Sequence, residues 1–187
     1  MIMKTKLHLQ VLFVILSMFI SGLTVKSQNS APYDIQKKFI ASGYMGDINN
    51  IQLVSNHEEN CHTGKKCIRA VYSPGGNGWG GVYWQYPSNN WCKTPGVNLS
   101  DSTYTRITFG ARGENGNEEV KFKAGHDCGD SFSTDDLILN LTTEWRQYSI
   151  SVVKKNLSNI TGAFCWSIDS HANSGRVTFY LDDIQFE

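Results

Sequence analysis

The sequence predicts an all-β sandwich behind an export signal. Three observations predict it. Short stretches of alternating apolar and polar residues recur after residue 50. Gly, Asn, Asp and Ser clusters separate them, and no helical period runs through the chain beyond the signal.

Residues 1–27 read as a signal-peptide helix. Lys4 and Lys6 supply a positive start, Val11 to Ile20 is continuously apolar, and a more polar run from Ser21 to Ser27 places the cut before Gln28. The apolar run is about half of the ~20 residues a spanning helix needs, so no membrane insertion is expected after cleavage. Residues 28–38 form a leader or an edge segment, and residues 39–187 form one domain. Strands are expected at Ile51–Val54, Cys67–Tyr72, Val82–Tyr86, Arg106–Arg112, Val120–Ala124, Leu137–Leu141, Arg146–Val152, Gly162–Ile168 and Arg176–Phe186. Glu114-Asn115-Gly116-Asn117 is a hairpin signal, since Asn and Gly tolerate positive φ. Asp169–Gly175 is another. Alternation puts Ile107, Phe109 and Ala111 on one face, with Val82 and Trp84, and Val120 and Phe122, likewise inward. Tyr83, Gln85, Arg112, Lys121 and Lys123 fall on the opposite faces.

Charge narrows the partners. Losing Lys4, Lys6 and Lys26 from 17 basic residues leaves 14 against 17 acidic ones, a net charge of about −3. Such a domain lacks the basic footprint of a nucleic-acid binder. Export permits disulfides. Cys61 and Cys67 flank a tight polar turn and can close a small loop. Cys92 and Cys128, both in loops, make the second pair, and Cys165 in an apolar run is a buried free thiol.

The aromatic surplus points to function. Trp79 lies in a Gly-rich loop and Trp91 in a polar one, where a core does not need them. A sugar ring presents a flat face of C–H bonds that an indole covers, a contact worth on the order of 1 kcal/mol by analogy with aromatic pairs. Tyr83, Gln85, Arg112, Lys123 and His126 can hydrogen-bond the flanking hydroxyls. Arg112 adds a planar fork suited to two hydroxyls or a carboxylate. No nucleophile elbow, zinc-protease helix or phosphate loop occurs, and no carboxylate pair stands out. Asp within the terminal run TFYLDDIQFE is a poor strand former. A calcium ion held by Asp182, with Asp47 as partner, accounts for it; a turn cap or a Lys pair accounts for it equally.

Several stretches carry a resemblance: SGYMGD (Ser42–Asp47), CIRAVYS, GWGGVYWQYPSNNW, ITFGARGENGNEEVKFKAG, the T-x-E-W-x-x-Y segment (Thr142, Glu144, Trp145, Tyr148) and Y-L-D-D-I (Tyr180–Ile184). In this order the chain resembles the β-jelly-roll carbohydrate-binding modules of the galactose-binding-domain-like superfamily. The resemblance implies a jelly-roll β-sandwich of two antiparallel sheets, a structural calcium on Asp182, and glycan binding on the concave sheet or loop tips. It places Tyr83, Gln85 and Arg112 on that sheet, with Trp79 and Trp91 on flanking loops. Where similar modules often carry a large aromatic before the Arg, this chain has Gly110. The expected protein is a secreted, periplasmic or cell-surface binder of a polysaccharide, working beside a secreted glycan-degrading enzyme system. The competing expectations are a small jelly-roll polysaccharide lyase or glycoside hydrolase, and a surface domain that binds another protein.

Overall fold

The computed structural model describes residues 30–126 and 128–187; the signal segment lies outside the described residues. Eleven strands follow in order: β1 (Tyr33–Asp34), β2 (Ile40–Gly46), β3 (Ile51–His57), β4 (Cys67–Tyr72), β5 (Trp79–Gln85), β6 (Arg106–Gly113), β7 (Glu119–Lys123), β8 (Leu137–Asn140), β9 (Arg146–Ser151), β10 (Gly162–Asp169) and β11 (Val177–Phe186). They form two antiparallel sheets. Sheet A runs β3-β4-β11-β6-β9, with β1 also paired to β11. Sheet B runs β2-β5-β10-β7-β8. This is a jelly-roll sandwich, and all nine expected strands are present. Among the described residues, no helix is long and apolar enough to cross a membrane.

Alternation builds the core. Val82, Trp84, Phe122, Phe164 and Trp166 from sheet B meet Ile68, Phe109, Phe179 and Leu181 from sheet A, all buried. Phe109 sits at the centre, with ring centroids 4.7 Å from Phe122 and 5.0 Å from Phe164. Such tilted and edge-on contacts suit the aromatic quadrupole. The 114–117 signal is a tight turn, with Gly116 and Asn117 at positive φ, but neither it nor the 169–175 segment makes a hairpin, since each carries the chain from one sheet to the other (β6 to β7 and β10 to β11).

The N-terminal segment does more than lead. β1 closes onto β11, while Ile35 and Phe39 are buried in the core. β2 was not expected as a strand. Its Ile-Ala-Ser-Gly-Tyr-Met-Gly run carries two glycines and a register shift between Ala41 and Gly43, which break the alternation that marks a strand.

Both expected disulfides form, Cys61–Cys67 and Cys92–Cys128, and Cys165 is a buried free thiol. Burial pushes the Cys165 thiol far above its ordinary range.

Candidate functional site

The outward residues of sheet B line up in rows set by strand register. Met45, Gly81, Ser167 and Lys121 make one row. Gly43, Tyr83, Cys165 and Lys123 make the next. Trp79 and Asp169 begin a third, at the end where Glu119 of β7 faces Asn140 of β8. Gly81 has no room for a side chain, since a Cβ would come within 2.6 Å of the Trp166 carbonyl oxygen. The row through Gly81, which lies between those of Trp79 and Tyr83, is therefore a shallow valley at β5, beside Ser167 and Lys121.

Two indoles flank this valley. Trp79 is 41% exposed and Trp91 is 38% exposed. Trp91 belongs to a loop, but its ring stands against Tyr83 of β5, with centroids 6.3 Å apart. Tyr83 is four residues along β5 from Trp79 and on the same face. At ~3.3 Å per residue the two aromatic stations are about 13 Å apart. Beside Trp91, a hollow of about 440 Å³ is lined by Ser42, Tyr44, Ile48, Asn49 and Asn89.

The support beneath Trp91 is dense. His126 lies 3.9 Å from Tyr83 and 5.5 Å from Trp91 between ring centroids. Its Cδ2–Nε2 edge lies against Gly162, where an added Cβ would have no room. The Cys92–Cys128 bridge covers the other side, with Cys128 Sγ 3.4 Å from His126 Nδ1. Asp130 fixes this corner by accepting N–H bonds from His126, Thr161 and Gly162. Gln85 Nε2 lies 3.5 Å from His126 Nε2, and Ser42 Oγ lies 3.3 Å from Gln85 Oε1.

These facts correct part of the expected surface. Tyr83, Gln85 and His126 are 7%, 0% and 4% exposed, because the loops carrying Trp91 and the Cys92–Cys128 bridge cover them. They hold the surface and do not form it. Lys123 stays on the outer face, half-buried beside Cys165. Asp127, next to His126 in sequence, lies outside the described residues. Arg112 is on the other sheet altogether. It faces outward from β6 in sheet A, with its guanidinium 3.8 Å above the Tyr180 ring. Alternation along a strand gives the face but not which sheet the strand joins.

The expected metal pair does not converge either. Asp47 accepts bonds from the Tyr72 hydroxyl and the backbone N–H groups of Gly75 and Asn77. It ties down the β4–β5 loop, and these donors hold its carboxyl below the usual range. Tyr72 pairs with Val177 at one end of β11; Asp182 lies five residues further on, roughly 16 Å away. Asp182 Oδ2 accepts N–H bonds from His62 and Thr63, and Oδ1 accepts one from Asp183. Lys65 and Lys66 line the same hollow. Donors and lysines around a carboxylate do not suit a shared calcium ion. In this fold both acids anchor loops.

Sequence reasoning missed Ser42, Asn49, Asn89 and Ser167. For Ser167 the signal was present, as a polar residue at an outward position of GAFCWSID.

The sandwich is similar in fold to several solved structures, carbohydrate-binding modules among them. It is similar to a family 30 carbohydrate-binding module, with TM-score 0.56 and 14% identity over 84% of this chain and 99% of that one. It is similar to a family 11 module from Clostridium thermocellum, solved with a β-1,3-1,4-mixed-linked tetrasaccharide, with TM-score 0.52 and 14% identity over 84% and 96%. An exo-β-agarase matches with TM-score 0.53 and 8% identity, over 83% of this chain and 25% of the agarase. No family model and no curated protein matches the sequence.

Proposed function

We propose that this is an exported carbohydrate-binding protein that lays a polysaccharide chain across the outer face of sheet B, between Trp79 and Trp91. The observation that carries the reading is a pair of half-exposed indoles, Trp79 at the start of β5 and Trp91 packed on Tyr83 about 13 Å further along that strand, with Ser167 and Lys121 in the row between. Each indole covers the C–H face of a sugar, while hydroxyl, amide and ammonium groups bond the sugar oxygens. The fold it shares with carbohydrate-binding modules supports the reading. The two disulfides suit an oxidising compartment outside the cytoplasm.

Affinity electrophoresis and calorimetry against soluble β-glucans, agaro-oligosaccharides and galactans test it. Binding to at least one of them is expected in the wild type, with at least a tenfold loss in Trp79→Ala and in Trp91→Ala. Wild-type protein that binds none of these glycans, or variants that bind as well as wild type, would overturn it.

A further inference from the structure

The outer face of sheet A carries a second arrangement. Tyr180 of β11 pairs with Arg69 of β4 on one side and with Arg112 of β6 on the other. Cross-strand pairing brings all three side chains to one face. The Arg112 guanidinium lies 3.8 Å from the Tyr180 ring centroid and 5.6 Å from that of Trp145. The His57 ring flanks Tyr180 at 5.3 Å. Gly110 makes the close approach possible, since His62 and Trp145 lie 3.2 and 3.5 Å from where its Cβ would be.

The charges on this face do not cancel. Among the described residues no carboxylate forms an ion pair with Arg69 or Arg112. Arg112 Nε is buried and has no acceptor, and Nη1 makes only a long 3.4 Å bond to the Gly113 carbonyl. One acid touches the cluster: Glu114 accepts from the Tyr180 hydroxyl at 2.5 Å. Two guanidiniums against one carboxylate leave an excess of positive charge immediately around Tyr180, while Asp182, two residues along β11, is taken up by the N–H groups of His62, Thr63 and Asp183. A buried guanidinium donor without an acceptor is costly unless a ligand supplies one. Planar guanidinium matches planar carboxylate through two parallel bonds.

We infer that sheet A carries a second glycan subsite, where Arg69 and Arg112 on either side of Tyr180 take the carboxylate of a uronic acid in an acidic polysaccharide. Trp145, held by its Nε1 bond to the Asn60 carbonyl at 2.7 Å, is the adjoining wall for the sugar ring. The inference rests on the glycan-binding reading for its ligand class, but it uses the opposite sheet and none of the same residues.

Calorimetry with tri-galacturonate, cellotriose and a sulfated galactose oligosaccharide tests it, in a Trp79→Ala/Trp91→Ala background that removes the sheet B contacts. That background should still bind tri-galacturonate, and binding should weaken as salt rises. Arg69→Gln and Arg112→Lys should each weaken it at least tenfold, and either change made alone in the wild type should leave cellotriose binding unaffected. Arg69 is half-exposed, so Arg69→Gln keeps the test meaningful if Arg112→Lys unfolds. Glu114→Gln should tighten binding by removing the competing charge. Loss of all acidic-sugar binding in the background variant, unchanged affinity in Arg69→Gln, or a preference for the sulfated sugar would overturn the assignment. If wild type binds cellotriose but never tri-galacturonate, the sheet A inference fails and the sheet B reading stands. The reverse pattern leaves sheet A standing alone.

Discussion

Trp91 stands edge-on to Tyr83, with ring planes at 80° and centroids 6.3 Å apart, so a loop residue takes its position from a strand residue. The two side chains differ in what their loss should do. Trp91→Ala removes an exposed contact and should cost affinity with a small change in stability. Tyr83→Ala empties a buried site and should cost roughly 3–5 kcal/mol of stability, taken from large aromatic truncations. It should weaken glycan binding as well, because Trp91 loses its rest. Urea denaturation with parallel calorimetry separates the two. Equal stability loss in both variants would contradict this division.

The two disulfides should differ in weight. Cys92–Cys128 spans 36 residues and Cys61–Cys67 spans 6. Loop-closure entropy gives about 4 kcal/mol for the first and about 2 kcal/mol for the second. Denaturation of Cys92→Ala/Cys128→Ala and Cys61→Ala/Cys67→Ala should show that order. Only the first pair should also reduce glycan affinity, since it covers His126 beneath Trp91.

Asp47 should shape the acid limb of stability. Its carboxyl is held low by the N–H of Asn77 first, against burial that pushes it up, with Tyr72 and Gly75 adding to the lowering. A folded-state pKa below the unfolded one gives stability that is present above about pH 4 and lost as pH falls through the folded value. Asp47→Asn should therefore be less stable than wild type at pH 7. Its stability should fall less steeply below pH 4, so that the two proteins converge in acid. Thermal melts across pH 2–7 are the measurement, and parallel curves would contradict the role.

Asp182 should behave as an anchor for the 58–66 loop. Burial is the main cause holding its carboxyl above the usual range, offset by the N–H of Thr63. Acidification through that raised value favours the folded state, the opposite sign to Asp47. Asp182→Ala should cost on the order of 1–3 kcal/mol, because the N–H groups of His62, Thr63 and Asp183 lose their acceptor. Calcium should not restore it, and chelator should leave the wild-type Tm unchanged. A Tm that rises with calcium in wild type but not in Asp182→Ala would put a metal there.

The strands were legible wherever alternation was clean. RITFGAR and VKFKA each show their buried face directly, and β6 and β7 follow them closely. β2 was not legible, because glycines and a register shift erased its period. Trp79 and Trp91 were legible as exposed rings a core does not need, but only Trp91 lies in a loop; Trp79 is the first residue of β5, because the Gly-rich run that reads as a loop continues the strand. The burial of Tyr83, Gln85 and His126 was not, since it depends on two loops separated by some 36 residues and joined by a disulfide. Arg112 shows the general limit. Its outward face follows from two-residue alternation, whereas its sheet depends on β6 pairing with β9 and β11.

The Cys92–Cys128 bridge also bears on how the protein is made. Material produced in a reducing cytoplasm would keep both thiols apart, and the loop bearing Trp91 would lack its clamp over His126. Two preparations of one sequence would then give different affinities for the same sugar. A count of free thiols in denaturant, one when both bridges are formed and Cys165 alone is free, belongs beside every binding constant measured on it.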